Sequence, residues 1–331
     1  LELGFEEMYG FDINPLAVLI SKAKFTRVNV DELQSWVTHI CAQLDTLTDN
    51  SLDDGEDVIT RLYNSEYWFA DNVIRDLSRL DKLLKQIGNP NIARLFNVAF
   101  SETMRYCSYV RNGEFKLYRI PKEKIPSFSV DVFETFRAKL SKVADIYLNY
   151  YFEPLQKSTV NISNHNPYLT PNYYDIVLTS PPYGDSKTTV AYGQFSRFTN
   201  EWLGIERARN IDSMLMGGRK SKTLYQRGVM AGFISLIAEK DHNRALEASS
   251  FYEDLERSIW QVAATVKKGG TAVYVVGNRR VKGIQLPTDQ FIAEKFVEAG
   301  FTHLVTYERA IGNKVMPSAN SPTNVPGKLS N

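Results

Sequence analysis

Cysteine and histidine are scarce in this sequence of 331 residues. The two cysteines, Cys41 and Cys107, lie far apart and form no CxxC pair, and the four histidines are scattered. This scarcity argues against a zinc ribbon, a disulfide framework and a clustered metal site. We therefore expect reduced thiols, no bound metal and a cytoplasmic location.

Long apolar runs and an excess of charge of one sign are also missing. No stretch of about eighteen apolar residues occurs and no basic-then-apolar leader opens the chain, so neither a membrane span nor a signal peptide is expected. Lysine and arginine total 39 against 38 aspartate and glutamate, which gives a net charge of +1. A polyanion would therefore have to bind a local basic patch. The 43% apolar content is that of a globular protein and excludes disordered classes.

Strand and helix patterns alternate at both ends of the chain. A short apolar strand at 8–11 stops at Asp12, and Asn14 and Pro15 then favour a helix start with Asn14 as N-cap. Thr288 is predicted to cap a later helix that ends at Gly300. Further strands are predicted at 173–179, 271–276 and 302–307, with a turn at 268–270. This alternation predicts an α/β fold with a parallel sheet and right-handed crossovers.

Between these regions apolar residues repeat at i, i+3 and i+4, which is typical of packed helices. Residues 43–88 hold ten acids and five bases, whereas 105–142 hold nine bases and four acids. The acidic stretch is interpreted as a solvated face; the basic stretch is either another such face or a contact for a phosphate backbone. The predicted organisation is 1–28 as the first part of the core, 29–155 as a helical insertion, 156–311 as the rest of the core and 312–331 as an irregular C-terminal segment.

The tetrapeptide Ser180-Pro181-Pro182-Tyr183, here called the SPPY loop, follows a predicted buried strand. Open α/β sheets bind ligands at this edge. Two prolines remove two backbone donors, so the carbonyls of the loop remain available as acceptors. The Ser180 hydroxyl and the Pro181 carbonyl could accept both hydrogens of an amine on a planar group, while the Tyr183 ring stacks against its plane. The alternative is a Pro-Pro loop that only ends a strand.

Three segments in consistent order resemble one known family. They are GFDINPLAVLISKAK (10–24), YYDIVLTSPPYGDS (173–186) and VKKGGTAVYVVGNRRVKG (266–283). They resemble the amino-group DNA methyltransferases that use S-adenosylmethionine, and the TSPPY form is typical of the cytosine-N4 branch. The resemblance covers the first and last thirds of the chain. It implies a Rossmann-like methyltransferase sheet, mostly parallel and incomplete at both ends, with a large helical insertion.

The resemblance also implies the cofactor site. Asp12 would accept both ribose hydroxyls of S-adenosylmethionine, Ile13 would pack on the adenine, and Asn164 would contact the adenine amine, although the family usually has Asp there. An acid at a helix N-terminus and a turn asparagine are the alternative interpretations of Asp12 and Asn164. The glycine-rich loop of the family does not occur in the sequence, and Lys268 replaces a proline of its pattern. A missing segment or a second chain is expected to supply that loop, and activity of this chain alone is not expected.

Basic and aromatic residues follow the SPPY loop. Region 184–230 holds eight bases and four acids, so it is expected to contact double-stranded DNA, with a solvated face as the alternative. The predicted DNA-contacting residues are Arg197, Arg219, Lys220, Lys222, Arg279 and Arg280.

The resemblance thus implies site-specific methylation of cytosine N4 after base flipping, as the protective half of restriction–modification. The SPPY loop would hold the target amine, and Tyr183 would stack on the extruded base. Three alternatives remain open at this point: methylation of adenine N6, methylation of an RNA guanine amine, and a non-catalytic DNA-binding fragment or subunit.

Overall fold

A computed structural model describes residues 5–47, 62–111, 117–151, 159–163, 171–184, 192–206, 208–309, 319–320 and 325–326. The chain forms two compact units, which are described separately. The first unit comprises Leu1–His165 with Gly193–Arg209, and the second comprises Asn166–Tyr192 with Asn210–Asn331. The segment Gly193–Arg209 therefore belongs to the unit that contains the predicted helical insertion, although it follows the SPPY loop in the sequence. The domain boundaries proposed from the sequence stay a prediction.

The first unit contains a pair of parallel strands, β1 (Glu7–Phe11) and β2 (Thr159–Ser163). Glu7 lies opposite Thr159 and Phe11 opposite Ser163. The helix α1 (Pro15–Lys24) follows β1 after a short turn, and the Asn14 side chain accepts a hydrogen bond of 3.1 Å from the Leu16 amide. The predicted strand, N-cap and helix start are therefore confirmed.

Helices form the rest of the first unit. They are α2 (Val30–Thr46), α3 (Ser65–Trp68), α4 (Asp71–Leu84), α5 (Pro90–Cys107) and α6 (Val132–Ile146), which continues into a π-helical turn at Tyr147–Tyr151. The segment Gly193–Arg209 adds α8 (Arg197–Trp202), which follows the short α7 (Tyr192–Phe195). The apolar stripes of these helices meet in one core, as their spacing predicted. Its fully buried members include Leu33, Ile40, Leu77, Leu80, Phe96, Phe100 and Phe136.

Helix α8 is fixed to the helical core by a buried tryptophan. The Trp202 ring packs against Phe100 with 4.4 Å between ring centroids. Its indole Nε1 donates a hydrogen bond of 2.6 Å to Asp81 on α4. Burial of a large aromatic ring contributes about 1.5–3 kcal/mol, and the carboxylate satisfies the one polar atom of the indole.

The second unit is built on the parallel strands β3 (Tyr174–Thr179) and β4 (Val266–Tyr274). Its helices are α9 (Ile211–Met214), α10 (Met230–Lys240), α11 (His242–Thr265) and α12 (Thr288–Glu298). A hairpin joins β5 (Arg280–Val281) to β6 (Ile284–Gln285), and its two turn residues, Lys282 and Gly283, both have positive φ as a tight hairpin turn requires. The last described pair is β7 (Ala319–Asn320) with β8 (Val325–Pro326).

The second unit differs from the sequence prediction in four places. The predicted turn at 268–270 lies inside β4, where Gly269 adopts a φ of +82°. The pairing of β4 with β3 changes register at this point, between Tyr174 and Ile176 of β3. No strand forms at 302–307, whose side chains are exposed and have no described partner strand. Thr288 begins α12 without capping it, because its hydroxyl lies 2.8 Å from that of Tyr252. Strand β3 is not buried, since Leu178 is 70% exposed.

The expected sheet is matched in part. Each unit holds one parallel pair in a two-stranded sheet, and the Rossmann-like sheet stays a prediction. What the structure shows is an α/β chain with short parallel strand pairs. In a two-stranded sheet each strand has one unpaired edge, which accounts for the exposure of β3.

A buried lysine holds several carboxylates of the second unit together. Lys295 on α12 is 2% exposed, and its Nζ lies 2.7 Å from Glu298, 2.9 Å from Glu294 and 3.7 Å from Glu256. Burial opposes the charge of Lys295, but the hydrogen bonds to Glu298 and Glu294 hold its pKa above the ordinary value. The stabilisation is therefore complete at neutral pH and is lost only as the pH rises through that raised pKa.

Replacing this ammonium should destabilise the second unit. We expect Lys295→Met to lower the free energy of unfolding by about 3 kcal/mol at pH 7, because it leaves neighbouring carboxylates without their shared cation. Urea unfolding measures the change. The control Lys268→Met removes an exposed lysine and should change the free energy by less than about 0.5 kcal/mol. Equal stabilities of the two variants would show that the Lys295 cluster is not stabilising.

Candidate active site

The SPPY loop leaves the second unit's sheet at the end of β3. The last hydrogen bond between β3 and the chain that follows β4 runs 2.9 Å from the Val275 amide to the Thr179 carbonyl. Ser180 is the next residue. Ser180 is exposed, Pro181 is buried, and Tyr183 is 45% exposed. The Ser180 and Tyr183 hydroxyls lie 3.3 Å apart. The structure therefore brings the predicted catalytic residues together, with a hydroxyl and an aromatic ring facing solvent and the first proline holding the loop.

The chain that follows β4 lies against this loop. A Cβ on Gly277 would lie 3.3 Å from the Tyr183 ring, and a Cβ on Gly184 would overlap the Arg279 guanidinium. Close packing on both sides thus fixes the loop; the φ of +155° and the overlap favour glycine at 184, while a side chain at 277 would press on the Tyr183 ring. Sequence reasoning missed these two glycines. Their signal is their position directly after Tyr183 and after the apolar run of the second strand.

Asn278 ties this segment to α12. Its side-chain amide donates a hydrogen bond of 2.7 Å to the Asp289 carboxylate, and its Oδ1 accepts a hydrogen bond of 3.1 Å from the Asp289 backbone amide. Two hydrogen bonds from one side chain fix both position and orientation. The segment beside the SPPY loop is therefore held to a helix N-terminus, and sequence reasoning also missed this role of Asn278.

The Asp12 turn lies in the first unit, at the end of β1. Asp12 donates its amide to the Ser163 carbonyl over 3.3 Å, and its Oδ1 accepts 2.7 Å from the Asn14 amide. Desolvation raises the pKa of the Asp12 carboxyl, and the Asn14 hydrogen bond opposes this rise. Asp12 forms no salt bridge within the described part of the chain. The neighbouring Ile13 is half-buried.

This turn is braced from α8. Asn200 is fully buried, and its amide donates 3.2 Å to Asn14 and 2.9 Å to Ser196. Asn14 thus accepts from its own helix and from Asn200 at the same time. Sequence reasoning missed Asn200, because it lies far along the chain from Asp12. Asn164, the third predicted cofactor residue, lies outside the described residues.

The predicted DNA-contacting residues fall into both units. Arg197 lies in the first unit on α8, where its Nε donates 2.9 Å to Glu201. The other five lie in the second unit. Arg219, Lys220, Lys222 and Arg280 are exposed there, while Arg279 is half-buried against Gly184. The 219–222 loop docks on α11 through Lys220, whose Nζ lies 2.8 Å from Asn243. The structure therefore does not place all six residues in one unit.

Metal-binding clusters and membrane-spanning helices are both absent from the described residues. No group of three or more histidine, cysteine, aspartate or glutamate side chains is arranged to hold a metal ion. No helix in that part of the chain is long and apolar enough to cross a membrane.

The described elements define an α/β protein in which each unit has a polar side chain at the carboxyl end of a strand of its parallel pair. Comparison with known proteins then gives the family. The chain is 34% identical over 354 residues to the Type II methyltransferase M.MvaI of Kocuria varians, and the match covers 98% of this chain and 77% of that relative. The chain therefore belongs to the family of type II methyltransferases. No protein-family profile and no solved structure matches it.

The resemblance drawn from the three sequence segments is confirmed at the level of the methyltransferase family. The cytosine-N4 branch and the roles of individual residues stay predictions. Because the match covers 98% of the chain's 331 residues, the residues that carry the predicted chemistry lie within the matched part.

The packing of Tyr183 on Gly277 can be tested directly. Gly277→Val places a Cβ about 3.3 Å from the Tyr183 ring and adds two methyl groups beyond it, so we expect the ring to be displaced and the free energy of unfolding to fall by about 1 kcal/mol. Urea unfolding and a crystal structure of the variant measure both effects. Gly232→Ala is the control, since an added Cβ there meets nothing within 4 Å and alanine favours the helix. An undisplaced ring in Gly277→Val would contradict this account.

Proposed function

We propose that this protein transfers a methyl group from S-adenosylmethionine to the exocyclic N4 amine of cytosine in a specific sequence of double-stranded DNA. The proposal includes a role in restriction–modification and a location in the cytoplasm. The observation that carries it is the SPPY loop at the end of β3, with Ser180 and Tyr183 exposed, in a member of the type II methyltransferase family.

The proposed chemistry follows from the weakness of the nucleophile. The lone pair of a base amine is delocalised into the ring, so the nitrogen is planar and attacks poorly. If the Ser180 hydroxyl and the Pro181 carbonyl accept the two amine hydrogens from outside the ring plane, the nitrogen becomes more tetrahedral and its lone pair is available. Acceptors fixed in advance by a proline-stiffened loop perform this work without reorganisation.

Base flipping brings the amine to these acceptors. The amine of a paired base is hydrogen-bonded inside the duplex, so the base must leave the helix at a cost of a few kcal/mol. The half-exposed Tyr183 ring offers a stacking surface that recovers part of this cost. Basic residues of the second unit, which include Arg219, Lys220, Lys222 and Arg280, would neutralise phosphates on the DNA.

The residues of the Asp12 turn fit the ribose and adenine parts of the cofactor. Only the Oδ1 atom of Asp12 has a hydrogen-bond donor in the described part of the chain, so its carboxylate retains acceptor capacity for a pair of hydroxyl groups. Ile13 offers an apolar contact beside it, and we propose Asn164 as the residue that contacts the adenine amine. The cofactor would supply an electrophilic methyl group on a sulfonium. We propose that a further segment or a second chain supplies the family's glycine-rich loop.

Loss of the Ser180 hydroxyl tests the assignment of the catalytic loop. We expect Ser180→Ala in the full-length protein to lower the methylation rate by about 10²–10³, since one preorganised hydrogen-bonding group is removed, while DNA affinity changes less than twofold. Mass spectrometry of nucleosides from treated duplex DNA measures the product. Ser235→Ala, which removes an exposed hydroxyl on α10, is the control.

The products formed on duplex DNA and on RNA, together with calorimetry of DNA and cofactor binding, separate the alternative functions. N4-methylcytosine from the wild-type protein supports the proposal. N6-methyladenine, methylated RNA without methylated DNA, or DNA binding without any cofactor binding would each overturn it in favour of one of the three alternatives.

The Asp12 carboxylate should control cofactor affinity. We expect Asp12→Asn to weaken the binding of S-adenosylmethionine about tenfold by calorimetry, because one charged hydrogen-bonding partner is lost. Since desolvation raises the pKa of Asp12 above 3.8, wild-type affinity should fall with decreasing pH sooner than an ordinary carboxylate predicts. The control Asp145→Asn changes an exposed acid on α6. Unchanged affinity in Asp12→Asn would remove Asp12 from the site.

A further inference from the structure

We propose that the first unit carries its own contact surface for duplex DNA, formed by Tyr63, Tyr67, Arg105, Arg119, Phe195 and Arg209. This inference rests on the proposed function, since it takes DNA as the substrate. It adds a second contact to the basic residues of the second unit. We call this set the arginine–aromatic surface.

Hydrogen bonds join the stretches of chain that carry this surface. The Tyr109 amide donates a hydrogen bond of 2.7 Å to the Trp68 carbonyl of α3, and Val110, beside it, pairs with Arg119 in an antiparallel bridge. The Leu117 amide donates 3.3 Å to the Gln194 side chain, beside Phe195. The Tyr63 amide donates 3.0 Å to Glu201 on α8. Residues that are distant in the sequence are therefore fixed side by side within the first unit.

Guanidinium groups lie over the faces of aromatic rings across this surface. The Arg119 guanidinium is 4.2 Å from the centre of the Tyr67 ring. Arg105 is 4.2 Å from the centre of the Phe195 ring, and Arg209 is 4.1 Å from that of Tyr63. Stacking of this kind orients a guanidinium by its face and leaves its edge N–H groups able to donate in the plane. The rings thus position the guanidinium groups, and Arg105 is held further by a hydrogen bond of 3.3 Å from its Nη1 to the Phe195 carbonyl.

The surface is accessible and remains positively charged. Tyr63 is 51% exposed, Tyr67 is 48% exposed, and the Arg209 side chain is 55% exposed. Within the described residues no carboxylate lies at salt-bridge distance from Arg119, whose Nε is buried without a hydrogen-bond partner. Arg209 has one carboxylate nearby, Glu201, at 4.0 Å. The charge of Arg119 is therefore not neutralised within the described residues, and that of Arg209 is neutralised only in part.

Duplex DNA is the partner that this chemistry fits. Phosphates accept hydrogen bonds from the in-plane donors of a guanidinium, and a duplex offers several phosphates to arginines that are held in place beside one another. The surrounding sequence strengthens the match, since 105–142 carries nine bases and four acids. The basic stretch that the sequence left open between a solvated face and a phosphate contact is thereby assigned to phosphate contact.

The test measures the salt dependence of duplex binding by the full-length protein, using fluorescence anisotropy with a labelled duplex. We expect the slope of log affinity against log salt to fall by about 0.9 in Arg119→Gln and in Arg209→Gln. The loss of affinity between 50 and 200 mM salt then becomes about 3.5-fold smaller than for the wild type. Arg119→Lys keeps the charge and should keep the slope.

Two further variants separate a DNA contact from a structural role. Arg75→Gln is the matched control, because it removes an exposed arginine from α4 in the same unit and should leave the slope unchanged. Tyr67→Leu keeps every charge but removes the ring under Arg119, so affinity should fall several-fold with a smaller change in slope. Should Arg119→Gln unfold, Arg209→Gln, with its exposed side chain, carries the test.

The possible failures are distinguishable. A wild-type protein that binds and methylates duplex DNA, with wild-type slopes in Arg119→Gln and Arg209→Gln, would overturn this inference alone. Slopes that change with single-stranded RNA but not with duplex DNA would overturn it in favour of an RNA partner. A wild-type protein that neither binds nor methylates duplex DNA would overturn the proposed function and this inference together.

Discussion

Parallel pairing of β3 with β4 is the constraint on which the candidate catalytic loop depends. Both strands run in the same direction, so both chains leave the sheet at the same edge, just after the hydrogen bond between Thr179 and Val275. This common exit places 277–279 against the SPPY loop. Gly277 then meets the Tyr183 ring and Arg279 meets Gly184. An antiparallel neighbour would instead have placed at this edge the residues that precede it in the chain, so that 277–279 would have lain at the opposite edge.

The same constraint acts in the first unit. β1 and β2 are parallel and end together, so the amide of Asp12 reaches the carbonyl of Ser163. The N-cap at Asn14 then turns the chain into α1, and Asn200 holds that cap from α8. Each unit therefore presents a polar side chain where a parallel pair ends, which is the edge at which α/β sheets bind ligands.

Local features of the fold could be predicted from the sequence because they depend on neighbouring residues. The N-cap at Asn14, the helices of the first unit and the strand before Ser180 all follow from spacing and capping. Burial of β3 could not be predicted in this way. Its apolar run is what a buried strand needs, but burial depends on partner strands, and β3 has only β4 among the described residues. For the same reason the apolar run at 302–307 forms no strand.

Side-chain contacts between residues far apart in the sequence could not be predicted from it either. Asn200 and Asn14 are 186 positions apart, and nothing in the spacing of either residue indicates the other. The closeness of Gly277 to Tyr183 also arises only after the strands pair. The candidate reactive residues could therefore be predicted, because their side-chain chemistry follows from their identity. The residues that position them could not, because their roles depend on contacts in the folded chain.

The use of charge explains how a chain with a net charge of +1 could bind a polyanion. In the second unit, carboxylates gather around a buried lysine, and Lys295 is neutralised within the protein. In the first unit, some arginines lie over aromatic rings, as Arg119 does over Tyr67, while others, such as Arg197, pair with a carboxylate. A ring fixes a guanidinium without cancelling its charge. Balanced composition is therefore compatible with a local basic surface, because several acids are used to neutralise the buried Lys295 while Arg119 lies over a ring that leaves its charge in place.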